Sequence, residues 1–346
     1  EWKMNKDEFT RYVSVELEHG KNVELEYRIG EVLYKIKFLA ADKSKGINIP
    51  SIFAIPLSDN INNQLVVESN NLESGNLQKI IEQGIQTGIG LAKLTNDLPG
   101  PIVIPLIPSH KDYPYLQQLS KECFNLSVDD RNYRIDEQVV KIINYAKFLL
   151  AREKGLVAKK RIFLNGYSSS GVFAQRFALL HPNIVETVCI GGASGSIPIP
   201  TEQIAYPLGI ADYESLTGKK FDLDSYLKIK FRYYVGEFEL QNKTDSRFDD
   251  FGKPAPMHDM SYFDRSVPID VGKSQRNILG TEMFYRAKKT VQLLQNLGID
   301  VQHKIISGRG HDNKNGVGVN ELGDKYISDT YKSTVEGQKI DCKMSK

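Results

Sequence analysis

The segment Gly166-Tyr167-Ser168-Ser169-Ser170-Gly171 and its flanks restrict the fold of this chain more than any other feature. The apolar run 162–164 before it is typical of a buried strand, and residues 172–180 after it have a helix-like pattern that stops at His181-Pro182. A strand, a sharp turn with a serine at its tip and a helix are the context of a nucleophile elbow. The six residues alone also fit a Ser/Gly-rich connection without chemistry, and the flanking elements favour the elbow.

The three adjacent serines are distinguished by the size of their neighbours. The strand and helix backbones nearly touch at such a turn, so the residues two before and two after the nucleophile must be small. Ser168 has Gly166 and Ser170 at these positions, whereas either neighbouring serine would place Tyr167 or the β-branched Val172 at one of them. We therefore expect Ser168 to be the nucleophile.

The N-terminal part of the chain has a two-residue period. Residues 12–17, 23–27 and 32–38 alternate apolar and polar side chains and predict half-buried antiparallel strands. Short strands are also expected at 52–55 and 65–67. The period then changes, and residues 77–94 predict a helix with Ser74 as its cap.

From residue 102 onward, apolar runs alternate with helical patterns. This alternation predicts an α/β fold with a mostly parallel central sheet and right-handed crossovers. The expected strands cover 102–107, 161–164, 185–190, 231–235 and 301–306, and the expected helices cover 136–152 and 281–297. Two long irregular stretches, about 196–227 and 240–278, are expected to be insertions that wall a substrate pocket.

Candidate catalytic groups follow three of the predicted strands. Ser168 follows the strand 161–164, Glu237 and Glu239 follow 231–235, and His311 follows 301–306. Ligands of open parallel sheets bind beyond the carboxyl ends of the strands, so these groups are expected to meet. A serine hydroxyl needs a base to take its proton, a histidine suits that task, and a carboxylate orients the histidine ring.

The choice of histidine and acid depends on loop position. His311 lies in a Gly-x-Gly-His-Asp setting late in the chain, which favours it over the other five histidines. Glu239 lies farther into the loop than Glu237 and is preferred as the acid, with Glu237 as the alternative. Further candidates are the aspartates of the second insertion, Asp245, Asp249, Asp250 and Asp264.

The oxyanion donors and the pocket are less closely defined by the pattern. The backbone N–H of Ser169 is expected to be one donor. The second is expected from the loop after 102–107, where Pro108 has no N–H, so Ser109 or His110 is the candidate. Aromatic side chains that could line the pocket, or form the core of the insertions, are Tyr167, Tyr206, Tyr213, Phe248, Phe251 and Tyr262.

Three segments together resemble a known family: the turn 166–171, the acid loop 234–239 and the histidine loop 308–312. They are similar to the α/β-hydrolase esterases, in particular those akin to polyhydroxyalkanoate depolymerases and feruloyl-type esterases, over roughly residues 50–335. The resemblance implies an α/β-hydrolase fold and a serine hydrolase of carboxylic esters. The chain departs from the pattern in having Glu where Asp is usual, Ser170 where Gly is usual, and no HGGG string.

The expected organisation is a β-rich extension, residues 1–50, packed on a hydrolase domain, residues 51–346. Two other functions stay open. A peptidase or amidase of the same fold would need an additional site for a peptide end, and a non-catalytic binding protein on a hydrolase fold would often have lost a triad member. The sequence sets neither the substrate nor the oligomeric state.

Composition excludes several classes of protein. The 346 residues carry a net charge of +2 without a basic stripe, which argues against nucleic acid as a partner, and no apolar run approaches the roughly 18 residues of a membrane span. Cys123, Cys189 and Cys342 are far apart, and neither zinc nor disulfide spacing is present. His311-Asp312-Asn313 lacks the acid of a calcium loop, so no metal or cofactor is expected.

The start at Glu1 favours an exported protein, secreted or at the cell surface, over a cytoplasmic one.

Overall fold

The computed structural model describes residues 5–71, 74–237, 266–309, 311 and 321–337. Their strands form one nine-stranded sheet in the order β1-β2-β3-β5-β4-β6-β7-β8-β9. The strands are β1 (Val23–Ile29), β2 (Val32–Leu39), β3 (Ser51–Pro56), β4 (Val66–Val67), β5 (Ile102–Pro105), β6 (Ile162–Tyr167), β7 (Val185–Gly191), β8 (Lys230–Gly236) and β9 (Asp300–Ile306).

The sheet is antiparallel at one end and parallel elsewhere. β1, β2, β3 and β5 pair antiparallel in sequence, and β5, β4, β6, β7, β8 and β9 are parallel to one another. This is the mixed arrangement of the α/β-hydrolase fold. The predicted fold class, including the N-terminal antiparallel strands, is confirmed.

Helices cover both faces of the sheet. One apolar core contains residues of the helices after β5 and β6, and the other contains residues of the N-terminal helix, the helix after β4 and the last helix. Successive β6 residues divide between them, since Leu164 belongs to the first core and Phe163 to the second. The described helices are α1 (Lys6–Glu18), α2 (Leu77–Leu94), α3 (Ile135–Lys154), α4 (Ser169–Leu180), α5 (Tyr213–Thr217), α6 (Leu223–Tyr226), α7 (Ile269–Leu279), α8 (Met283–Asn296) and α9 (Glu321–Glu336).

The position of β4 determines what surrounds the elbow. β4 precedes β5 in the chain, yet it lies between β5 and β6 in the sheet. The helix α2 connects β4 to its parallel neighbour β5, as a crossover between parallel strands requires. The loop that leaves β4, residues 68–71, is therefore next to β6 and the turn that follows it. We call residues 68–71 the strand-end loop.

The strand predicted at 12–17 is wrong, because these residues belong to helix α1. Thr10, Val13, Ser14 and Leu17 are buried at helical spacing, while Val15, which the two-residue period would bury with Val13, is 43% exposed. The helix begins with a capping box in which the side chains of Asn5 and Glu8 each accept the other residue's backbone N–H. This local signal outweighs the alternation of apolar side chains.

The remaining elements follow the sequence pattern with small shifts. Helix α2 is capped by the side chain of Asn76, which accepts the Lys79 N–H at 3.2 Å, and Ser74 in turn accepts the Asn76 N–H at 3.0 Å. The insertion 196–227 contains the short helices α5 and α6. Within the described part of the chain, we find no helix long and apolar enough to cross a membrane.

Candidate active site

The turn between β6 and α4 has the backbone of a nucleophile elbow. Ser168 has φ 55° and ψ −118°, a conformation that L-residues rarely adopt. Its N–H donates to the Gly191 carbonyl on the neighbouring strand β7 at 2.8 Å. A hydrogen bond to the sheet thus holds the strained backbone of Ser168 in place.

Gly166 shows why the turn needs a small residue two positions before Ser168. A Cβ at Gly166 would lie 2.2 Å from the Ser170 carbonyl oxygen, a distance that real Cβ atoms do not adopt. On the other side of the helix start, a Cβ at Gly171 would lie 3.0 Å from the Gly191 oxygen. The close approach expected from the sequence is present, and it is the backbone that requires it.

Ser168 and His311 meet at this point. His311 Nε2 lies 2.9 Å from Ser168 Oγ. With the proton of the ring on Nδ1, Nε2 accepts the serine O–H, as a general base does. The imidazole stacks on the Tyr167 ring with a centroid distance of 5.1 Å. A Cβ at Gly192 would lie 2.9 Å from the imidazole Cε1, so this glycine leaves room for the ring.

The position of the acid is described only in part. Glu237 Oε2 accepts hydrogen bonds from Ser307 Oγ at 2.9 Å and from Gly308 N at 2.8 Å, at the start of the loop that leads to His311. Glu239 and the aspartates of the second insertion lie outside the described residues. The choice of Glu239 over Glu237 therefore stays a prediction.

Of the two candidates for the second donor, the Ser109 N–H and the His110 ring have partners away from the elbow. The Ser109 N–H donates to the Ser74 carbonyl at 2.9 Å. The His110 ring lies with Nε2 3.1 Å from Asp130 Oδ2, and its Nδ1 accepts the Asp112 N–H at 3.1 Å. Both residues follow β5, and β4 separates β5 from the elbow strand.

The strand-end loop contacts the elbow instead. Asn71 Oδ1 accepts the Ser170 N–H at 3.1 Å. Asn70 joins the same loop to the segment after β5, since its side chain accepts the Ile107 N–H at 2.6 Å and donates to the Ile107 carbonyl at 2.9 Å. Sequence reasoning missed both asparagines, although they follow the predicted strand 65–67 at its carboxyl end.

The helix start carries a further buried contact. Gln118 Nε2 donates to Ser169 Oγ at 2.8 Å, and the Gln118 carbonyl accepts from Arg176 Nη1 on helix α4 at 3.1 Å. All three side chains are buried. The first turn of α4 is therefore held on one side by Gln118 and on the other by Asn71.

The candidate pocket aromatics that are described lie in the core. Tyr206 is fully buried and its hydroxyl donates to the Leu119 carbonyl, and Tyr213 donates to the Leu180 carbonyl at 2.8 Å. Tyr167 is buried, and its ring stacks on those of His311 and Tyr234. The remaining candidates, Phe248, Phe251 and Tyr262, lie outside the described residues.

A second cluster of titratable groups lies at the opposite end of α4. Ligand atoms of Asp136, Glu137 and His181 lie within 4.8 Å of one another. Arg134 bonds both oxygens of Asp136 at 2.9 Å, and His181 Nε2 lies 2.9 Å from Asp136 Oδ2. Burial alone would raise the pKa of Asp136, but the bonds from Arg134 and His181 outweigh it and hold the pKa well below its usual range. The guanidinium takes the place that a cation would occupy, so this is a structural ion-pair cluster.

Comparisons with known proteins give likenesses in structure only. No protein-family model and no curated protein matches the chain. The chain is similar in structure to the carboxyl esterase 2 of Tuber melanosporum (10% identity, 89% of this chain and 88% of that chain, TM-score 0.46). It is also similar to an S-formylglutathione hydrolase from Agrobacterium tumefaciens (12%, 90% and 98%, TM-score 0.45). A thermostable esterase is matched at 12% identity over 91% of this chain and 62% of that chain, with a TM-score of 0.40, so this chain spans less than two thirds of its length.

Proposed function

We propose that this protein is a serine hydrolase that cleaves carboxylic esters. The observation that carries the proposal is the 2.9 Å contact between Ser168 Oγ and His311 Nε2, at the tip of a strained strand-to-helix turn. A serine hydroxyl is a weak nucleophile until a neighbouring base takes its proton, and the imidazole is in position to do so.

The proposed reaction proceeds through an acyl-enzyme. Ser168 Oγ attacks the acyl carbon while His311 Nε2 takes the hydroxyl proton. His311 then gives this proton to the departing alcohol oxygen, and the C–O bond of the ester breaks. Water repeats the sequence on the acyl-enzyme and regenerates the serine. Glu239, with Glu237 as the alternative, would orient the Nδ1–H of His311 and stabilise the imidazolium.

The proposed oxyanion site lies between the elbow and the strand-end loop. The Ser169 N–H at the N-terminus of α4 is the first donor, because it follows the nucleophile and adds the partial positive charge of the helix end. We place the second donor in the backbone of residues 69–71, since Asn71 of this loop already contacts the first turn of α4. Ser109 and His110, the candidates from the sequence, follow β5 instead, and the Ser109 N–H donates to Ser74.

The proposal is tested with a fluorophosphonate probe and p-nitrophenyl acetate. The wild type should be labelled at Ser168 and turn over the ester, and Ser168→Ala should abolish labelling and lower kcat by about 10³-fold or more. His311→Gln should lower kcat by a similar factor. Ser215→Ala, an exposed serine on α5, is the matched control and should behave as the wild type.

The labelling assay, extended to amide substrates and to variants of the acid, separates a serine esterase from a peptidase and from a binding protein. A wild type that is not labelled, or a Ser168→Ala variant that is labelled equally, contradicts the serine-hydrolase proposal and favours a binding protein. Cleavage of aminoacyl amides without cleavage of esters favours a peptidase. Comparing Glu237→Gln with Glu239→Gln assigns the acid: if only the first loses activity, the acid is Glu237.

A further inference from the structure

Glu68 is a buried carboxyl group beside the elbow that the proposed reaction does not use. It follows β4 directly and is 1% exposed. Burial raises its pKa to about 7. Its hydrogen-bond partners among the described residues are neutral side chains, although burying a carboxyl group without a cation is costly. The contacts of Glu68 should therefore explain why a carboxyl group is buried here.

The contacts of Glu68 reach both sides of the elbow. Asn165 Nδ2, on strand β6, donates to Glu68 Oε2 at 2.7 Å. Ser170 Oγ, on the first turn of α4, lies 3.3 Å from Glu68 Oε1. The residues on the two sides of Ser168 are thus bound to one carboxyl group, and that group belongs to the strand-end loop.

Ser170 connects this carboxyl group to the backbone of the strained turn. Its Oγ accepts the Tyr167 N–H at 2.9 Å and lies 3.0 Å from the Tyr167 carbonyl oxygen. Its own N–H donates to Asn71 Oδ1 at 3.1 Å. The contacts of the Ser170 hydroxyl cannot be made by a glycine, the residue that is usual at this position. The departure from the family pattern has a structural counterpart in Glu68.

We propose that Glu68 is a positioning residue that holds the strand-end loop in register with Ser168 through Ser170 and Asn165. The inference rests on the proposed function and deepens it, because this loop carries the proposed second oxyanion donor. Oxyanion donors act only when they are fixed relative to the nucleophile before the reaction. A displacement of about 1 Å in such a support can cost on the order of 10²-fold in rate.

The network can be satisfied with Glu68 in either protonation state. The ionised carboxyl accepts from both Asn165 and Ser170. The protonated carboxyl donates to Ser170 Oγ, and the Ser170 O–H then turns to the Tyr167 carbonyl, which is within reach at 3.0 Å. A glutamine can make the second set of bonds, with its amide oxygen facing Asn165 and its amide nitrogen facing Ser170. A leucine of similar size can make neither.

This difference gives the test. Glu68→Leu and Ser170→Ala should each lower kcat for p-nitrophenyl acetate by about 10- to 100-fold with KM within about twofold of wild type. Their rates of fluorophosphonate labelling should fall in parallel. Glu68→Gln should keep kcat within about threefold, because it keeps both contacts. If Glu68→Leu does not fold, Ser170→Ala and Glu68→Gln still decide the question.

Thr187→Val is the matched control for a lost buried hydrogen bond. Thr187 Oγ1 bonds Thr334 Oγ1 at 2.9 Å, both are buried, and neither belongs to the elbow. This variant should lose thermal stability and keep kcat within about twofold. The positioning role is overturned if Ser170→Ala has the same kcat as wild type, or if Thr187→Val loses as much kcat as Ser170→Ala. In either case, labelling of the wild type at Ser168 still upholds the proposed function. A wild type that is neither labelled nor active overturns both.

Discussion

Replacing Glu68 by glutamine should change how stability depends on pH. Burial raises the pKa of Glu68 from 4.5 to about 7, so between these values the folded protein binds more protons at this site than the unfolded chain. Its contribution to the unfolding free energy is therefore lost as pH rises from about 4.5 to about 7. Cys189 and Tyr234, which interact with Glu68, have pKa values raised by burial, and the buried Arg232 guanidinium near Cys189 is paired with Asp300.

The size of the change in unfolding free energy follows from the pKa shift of Glu68. A pKa raised by about 2.5 units, at 1.36 kcal/mol per unit, corresponds to about 3 kcal/mol between pH 4.5 and pH 8.5. Glutamine cannot ionise and does not have this term. Relative to wild type, Glu68→Gln should gain about 3 kcal/mol in unfolding free energy on going from the lower to the higher pH. With a urea slope of about 3 kcal/mol/M, the relative midpoint moves by about 1 M.

The assay is urea unfolding of both proteins at pH 4.5 and 8.5, at one ionic strength. Other titrating groups are common to the two proteins and cancel in the comparison. Glu26→Gln, on an exposed part of β1, is the control for replacing a carboxyl group that lies in water. If the difference for Glu68→Gln is the same at both pH values, the carboxyl group is not desolvated in the fold and the reasoning fails.

The close approach at Gly166 and the burial of His303 can each be tested by a substitution. Gly166→Ala should lower kcat more than 100-fold and reduce thermal stability, because its Cβ would lie 2.2 Å from the Ser170 carbonyl oxygen. The control Gly75→Ala, which has nothing within 4 Å of the new Cβ, should change neither kcat nor thermal stability. A Gly166→Ala enzyme of normal activity would contradict the close approach. Burial lowers the pKa of His303 to about 4, so its contribution to stability should be lost as pH falls from about 6.5 toward 4. Urea unfolding of His303→Gln beside wild type checks this, and a difference that does not change with pH in that window would rule it out.

Local sequence patterns are enough to predict the central strands and the nucleophile. Continuous apolar runs identified the central strands, since a strand covered on both faces has no polar side to show. The small neighbours of Ser168 identified one serine among three, because a strained turn excludes larger residues at fixed positions. The apparent alternation of residues 12–17 hides helix α1, whose capping box lies before these residues.

The order of the strands in the sheet depends on the packing of the whole domain. The sequence lists β4 before β5 and gives no sign that β4 is inserted between β5 and β6. Because of this order, the loop after β4 contacts the elbow, whereas the predicted donor Ser109 bonds Ser74. The same holds for Glu68. In the sequence it is an acidic residue after a short strand, with no sign of burial, and it becomes buried where β4 packs beside β6. Strand order is set by burial summed over the whole sheet, so no local pattern contains it.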